Sequence, residues 1–226
     1  MPFRRAVHAL RALALVWSAL SALIALCVFV MIRERYGRRG PIPVSQAHQL
    51  LSPARRWLHA PAATLMRFFR VNAGDTVLEI GPGPGYFTID AARAAGPSGR
   101  VVSIDIQPGM LSVLRDRLGE QHIENARPVA ADAGRLLLAA GSIDVAFLVF
   151  VLGEIPDRPR ALAELRRVLK PGGTLAVMEG MNDPDYQLEA SVVDLCRAVG
   201  FEEVDRQRQR LGYARCFRAP ALSEAP

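Results

Sequence analysis

A short apolar run, TVLEI (76–80), ends abruptly in Gly81-Pro82-Gly83-Pro84-Gly85-Tyr86-Phe87, and few folds accommodate such a junction. β-Branched and aliphatic residues flanking a single acid read as a strand buried in a sheet. A turn with glycine at every second position strips side chains from the end of that strand. A ligand can then approach the backbone, in the crevice where open α/β sheets bind their ligands. The dinucleotide-binding pattern is G-x-G-x-x-G, with bare N–H groups presented to a pyrophosphate. Here the third glycine arrives one residue early and Tyr86 stands in its place. Glu79, two residues before Gly81, adds a negative charge that would repel phosphate. A zwitterionic ligand with a cationic centre suits this turn better than a pyrophosphate does.

Beyond the turn, strand-like and helix-like stretches alternate. YFTIDAARAA (86–95) reads as a helix and RVVSID (100–105) as a second strand. A helix over roughly 109–118 is followed by a third strand at 126–131, in which Pro128 weakens the strand pattern. IDVAFLVFV (143–151) is the most apolar strand, expected at the centre of the sheet. The helix RALAELRRVL (160–169) stops at Lys170-Pro171-Gly172-Gly173, and TLAVME (174–179) is the fifth strand. This alternation implies βαβ units and a parallel sheet. A helix near 187–198 ends at Gly200, and EEVDRQRQR and YARCFRA then flank Leu211-Gly212, which predicts a hairpin.

The glycine turn resembles the nucleotide-binding motif of the Rossmann-like (class I) SAM-dependent methyltransferases, in the methyltransferase type 11 group related to the quinone C-methyltransferases. The resemblance runs over about 55–218, and further motifs follow in order: VVSIDIQPGML, Ala131-Asp132-Ala133, and IDVAFLVFVLGEIPD followed by LRRVLKPGGTLAV. It implies a seven-stranded α/β fold, a parallel sheet finished by an antiparallel C-terminal hairpin. It also implies S-adenosylmethionine as cofactor, held by Glu79, Gly81, Pro82, Gly83, Gly85, Asp105, Ile106, Asp132 and Ala133. In that scheme Asp105 accepts hydrogen bonds from the ribose hydroxyls, Ile106 lies against the adenine, and Asp132 accepts from the adenine amino group.

No catalytic residue is assigned by the motifs. Glu154, just after the fourth strand where many relatives carry His, reads either as a proton acceptor or, more simply, as a cap for the helix around Pro156. Glu179 and Asp183 are further candidates, and His48 and His59 lie in or near an amphipathic stretch at about 53–70. That stretch either covers the pocket or packs its apolar face on the sheet. The N/D-P-P-Y motif of enzymes acting on exocyclic amines in DNA is absent, as is a cysteine set suited to arsenite. Two rival readings remain open at this point: an NAD(P)-linked oxidoreductase, and a SAM-binding protein without catalysis.

Ahead of this domain, Ala12–Ile32 forms twenty-one residues without a charge. As a helix they extend roughly 32 Å, enough for a hydrocarbon core of about 30 Å. The run is longer than a signal-peptide core, and Leu26 precedes Cys27 where a lipoprotein signal needs a small residue. Residues 1–40 contain seven Arg and one Glu, which accounts for the whole net charge of +6. The remaining 21 basic and 21 acidic residues cancel, so the domain lacks the basic footprint of a nucleic-acid binder. Arginines bracketing an apolar run point to a membrane surface instead. Cys27, Cys196 and Cys216 are scattered and odd in number, which indicates neither a disulfide framework nor a metal site. The expected organisation is an anchor at 1–35, a linker at 36–53, the methyltransferase domain at 54–219 and a tail at 220–226. The domain is expected on the cytoplasmic side, acting on a small, lipid-like or quinone-like acceptor.

Overall fold

The computed structural model describes residues 16–26, 40–51 and 61–220. The chain divides into two units, Met1–Arg39 and Gly40–Pro226. In the first, residues 16–26 are helical and every one of them is exposed. No helix among the described residues is long and apolar enough to cross a membrane; the expected span over 12–32 lies partly outside them.

The second unit is built on a seven-stranded sheet. Its strands are β1 (Thr76–Ile80), β2 (Arg100–Asp105), β3 (Ala126–Ala130), β4 (Ile143–Val149), β5 (Leu169–Gly180), β6 (Glu202–Gln209) and β7 (Gly212–Arg218). Their order across the sheet is β3-β2-β1-β4-β5-β7-β6. The first five are parallel, whereas β7 runs antiparallel to β5 and β6 antiparallel to β7. Pro128 lies on the edge strand β3, where a missing N–H costs the sheet least.

Strand alternation sorts the core into two layers. Val77, Val101, Phe147 and Met178 face α1 (Ala62–Phe68), α2 (Thr88–Ala95) and α3 (Pro108–Glu120). Leu78, Ile104, Leu148 and Val177 face α4 (Arg158–Val168) and α5 (Glu189–Ala198). Leu65, Met66 and Phe69, in and just after α1, are fully buried, so this part of the 53–70 stretch packs its apolar face on the sheet; residues 52–60, with His59, are outside the described residues. After β3 the chain returns to place β4 beside β1 on the opposite side from β2. The order therefore reverses between β1 and β4, and a crevice opens there at the carboxyl ends of the strands.

Three boundaries differ from the sequence reading. The Lys170-Pro171-Gly172-Gly173 segment lies within β5 as an irregularity: Ile143 pairs with Leu169, and the next pair is Val145 with Thr174. Proline without an N–H and Gly172 at φ +79° push the strand outward there. Strand β4 stops at Val149 because Phe150 turns into the left-handed region at φ 59°. Finally, the stretch expected as linker is folded at its C-terminal end: Val44–Gln46 forms a 3-10 turn and Ala47–Leu50 a helical turn, with Ala47 buried.

Candidate cofactor and acceptor pocket

Each strand that ends at the crevice contributes a short segment to one pocket. Strand β1 delivers Gly81, Pro82 and Gly83; β2 delivers Asp105, Ile106 and Gln107; the turn after β3 delivers Ala131, Asp132 and Ala133; and the stretch after β4 delivers Phe150, Val151 and Glu154. Gly81 adopts φ +66°, and its N–H donates to the Ile104 carbonyl at 2.8 Å. A Cβ at this position would collide with Val151, so the turn and the stretch after β4 touch. Gly85 adopts φ +83° and leaves room for Leu114 of α3, which packs the loop onto the helix layer.

At one end of the pocket, Asp105 accepts from the Gln107 N–H at 2.8 Å while remaining on the pocket wall. Burial raises its carboxyl above the usual range, against the lowering effect of backbone hydrogen bonds from Gln107, Gly83 and Ile106. Ile106 lines the pocket with 63% of its surface exposed, an apolar face open to a flat ring. Asp132 Oδ1 accepts from the Gly134 N–H at 2.7 Å, which fixes the turn after β3. Seven of the nine expected cofactor residues thus meet on one surface.

Glu79 and Gly85 do not line it. Glu79 shares the sheet face of Val77, because side chains alternate along β1, and it points between β1, β2 and α2 rather than off the strand end. Its carboxylate is 2% exposed and accepts from Thr88 Oγ1 at 2.6 Å and Ser103 Oγ at 2.9 Å. Burial pushes its pKa up to about 7, against the pull of the two hydroxyls. The strand's period of two carried this information, and proximity to the glycines obscured it.

On the wall supplied after β4, Glu154 closes a 3-10 turn, Leu152–Glu154, and lines the pocket. It does not cap the following helix, since Asp157 does so by accepting from the Arg160 N–H at 3.1 Å. Arg158 braces the turn, donating to the carbonyls of Leu152 and Gly153 at 3.1 Å each. Burial, then Asp183, Asp185, Asp105 and Glu179, push Glu154 up to about 8. Glu179 is likewise pushed up to about 8 by burial and Asp183, yet it and Asp183 sit behind the pocket wall. His48 is exposed on its helical turn and does not line the pocket. Among the described residues no group of His, Cys, Asp or Glu is arranged to hold a metal ion.

Pro41, Ile42 and Leu50 complete the pocket from the N-terminal side. The Ile42 carbonyl accepts from Gln107 Nε2 at 3.0 Å, and the Gly40 N–H donates to Asp185 Oδ2 at 3.2 Å. Proline, glycine and serine in this stretch masked its contribution.

Comparison with known proteins follows the same pattern. Residues 77–173 match the model of a methyltransferase domain family. The ubiquinone/menaquinone biosynthesis C-methyltransferase UbiE of Marinomonas sp. is 39% identical over 125 residues, covering 55% of this chain and 49% of the relative. An arsenite methyltransferase of Halobacterium salinarum is 31% identical over 156 residues, covering 61% and 40%. The chain spans about half the length of the curated relatives it matches. A SAM-dependent methyltransferase from Aquifex aeolicus superposes with a TM-score of 0.75 at 20% identity, covering 79% of this chain and all of that one. Strand order, the glycine turn and the domain match agree: residues 77–173 match a methyltransferase domain, on a fold shared with the SAM-dependent methyltransferase from Aquifex aeolicus.

Proposed function

We propose that this protein transfers a methyl group from S-adenosylmethionine to a small, lipid-like acceptor of the quinone-precursor kind. The observation that carries the reading is the pocket at the β1/β4 switch point, walled by the motif residues of β1, β2 and β3. The residues present fit the cofactor. Gly81 and Gly83 leave a cradle that side chains would fill, Asp105 offers a carboxylate for hydroxyl donors, and Ile106 offers an uncovered apolar face. When bound, S-adenosylmethionine supplies an activated methyl on a sulfonium. The chain's own part is positioning and exclusion of water. Asp105 and Asp132 fix one end of the site, the glycine turn sets the depth, and Phe150, Ile42 and Leu50 give it apolar walls. The oxidoreductase alternative lacks support, because Tyr86 occupies the place of the third glycine and itself lines the pocket.

An apolar wall and relatives named for quinone biosynthesis favour a quinone-like acceptor. The arsenite relative is a weaker guide: Cys196 and Cys216 are buried away from the pocket, and burial pushes both thiols up to about 12. We further propose that residues 12–32 anchor the protein in a membrane with the domain on the cytoplasmic side. The uniform exposure of the apolar helical residues 16–26 and the flanking arginines support this.

Isothermal titration of the full chain with S-adenosylhomocysteine, and with NADH in parallel, tests the reading. Micromolar binding of the former, weakened at least roughly tenfold in Asp105→Ala through loss of a charged hydrogen-bond acceptor, is the expected result. Binding of NADH alone would overturn it.

A further inference from the structure

The pocket is unevenly charged. Its glycine-turn side is apolar and backbone-lined, whereas the stretch after β4 brings in Glu154. The charged groups that face this side chain come from four elements. Asp105 stands at the end of β2, Glu179 at the end of β5, Asp183 and Asp185 follow β5, and Arg158 lies on α4. All but Arg158 are acids, and the Arg158 guanidinium is engaged by the Leu152 and Gly153 carbonyls. The arrangement is rigid: Gly153 packs so closely on the Asp185 backbone that a Cβ there would overlap it. The Asp185 N–H in turn donates to Asp183 Oδ1 at 2.8 Å. Glu154 follows Val151 by one 3-10 turn, its N–H donating to the Val151 carbonyl at 3.0 Å, and Val151 touches Gly81. Glu154 thus lines the same pocket as Gly81, and among the described residues its carboxyl accepts no hydrogen bond.

A pocket-lining carboxyl set among other acids suits a cationic ligand. In a site that excludes water, a cation opposite a carboxylate is worth far more than at the surface. We propose that Glu154 is the counter-charge to the donor's sulfonium, so that the pocket distinguishes the charged donor from the neutral product through the protonation of this one carboxyl. Without a cation, burial and the surrounding acids keep Glu154 protonated at neutral pH. Entry of the sulfonium favours the carboxylate and displaces the proton. Once the methyl has left, the sulfur is a neutral thioether, Glu154 takes a proton back, and the product loses its electrostatic hold. This inference rests on the methyl-donor reading given above and assigns Glu154 to donor recognition.

The test compares the affinities of S-adenosylmethionine and S-adenosylhomocysteine for the full chain by isothermal titration between pH 6 and 8. The same titrations in phosphate and in Tris at pH 7 report proton exchange. For the unaltered protein, the ratio of donor to product affinity should rise more than tenfold across this range. Donor binding at pH 7 should release between about half and one proton. Glu154→Gln, which keeps the shape and removes the titration, should flatten the ratio to within about twofold, and Glu154→Asp should restore part of the rise. Comparison with the variant cancels the ligands' own titrations. A ratio that climbs equally in Glu154→Gln would overturn the inference while leaving the methyl-donor reading intact. If neither ligand binds the unaltered protein, the methyl-donor reading falls and this inference with it.

Discussion

Glu79 sits on the sheet face of β1 with hydroxyls on two sides, and its elevated pKa has a consequence for stability. In the unfolded chain a glutamate titrates near 4.5, whereas in the folded protein this one titrates at about 7. Between those values the folded state binds the extra proton, so stability is greatest at low pH and declines as pH rises through the window. At pH 8 the penalty for the buried charge is on the order of 3 kcal/mol. Glu79→Gln, which retains an oxygen for Thr88 and Ser103, should therefore raise Tm at pH 8. The gain should shrink steadily towards pH 5, as followed by thermal melts monitored by circular dichroism. An unchanged Tm at pH 8 would mean that the carboxylate is stabilised by more than these two hydroxyls. At this scale the sequence was least legible. It identified the acid but not the inward face it occupies, because nearness to Gly81 in the chain outweighed the alternation that turns the side chain inward.

At the scale of elements, the two turns at 44–50 behave as part of the pocket wall. Leu50 lies 3.5 Å from where a Gly83 side chain would begin, and Val44 stands similarly over Gly109. The segment therefore rests on Gly83 of the glycine turn and Gly109 of α3, where no side chain intervenes. Leu50→Ser should weaken S-adenosylhomocysteine binding roughly fivefold to tenfold, the equivalent of about 1 to 1.5 kcal/mol of apolar contact. Tm should move by no more than about 2 °C, since the residue lies outside both core layers. Leu137→Ser, at a side chain 83% exposed and away from the pocket, serves as the control and should leave binding unchanged. Apart from the start of β5, strands and helices with clear periodicity were legible in the sequence to within a residue or two, from TVLEI through the final hairpin. The turns at 44–50 were not, because they have no period of their own and gain their structure only from the domain beneath. The irregularity at Pro171-Gly172 was hidden for a related reason. Breakers mark a departure from regular structure, and only the β4 and β7 neighbours show that the strand resumes its ladder on both sides.

For the whole molecule, charge and hydropathy divide unequally along the chain, and that division bears on where the reaction takes place. The helical residues 16–26 include Trp17, Leu20, Leu23, Ile24 and Leu26, each about half exposed or more. An apolar helix surrounded by water would be unfavourable by roughly 1.5–3 kcal/mol for each large side chain left uncovered, so it needs a cover. A bilayer supplies one, and the arginines on both flanks suit its headgroups. The pocket segment begins directly after this unit, so an anchored chain would hold the pocket within a short tether of lipid-borne acceptors and raise their effective concentration. The full chain should therefore sediment with membranes and resist extraction by alkaline carbonate. Leu20→Arg combined with Leu23→Arg places two charges at the centre of the run, each costing about 2.5–3.5 kcal/mol in a bilayer. This double variant should move most of the protein to the supernatant while preserving S-adenosylhomocysteine binding, because neither residue belongs to the pocket. Alkaline phosphatase fused to the C-terminus should be inactive if the domain faces the cytoplasm. Retention of the double variant in the pellet would instead locate the membrane contact on the domain, where Met181 and Leu188 are among the exposed apolar residues to substitute next.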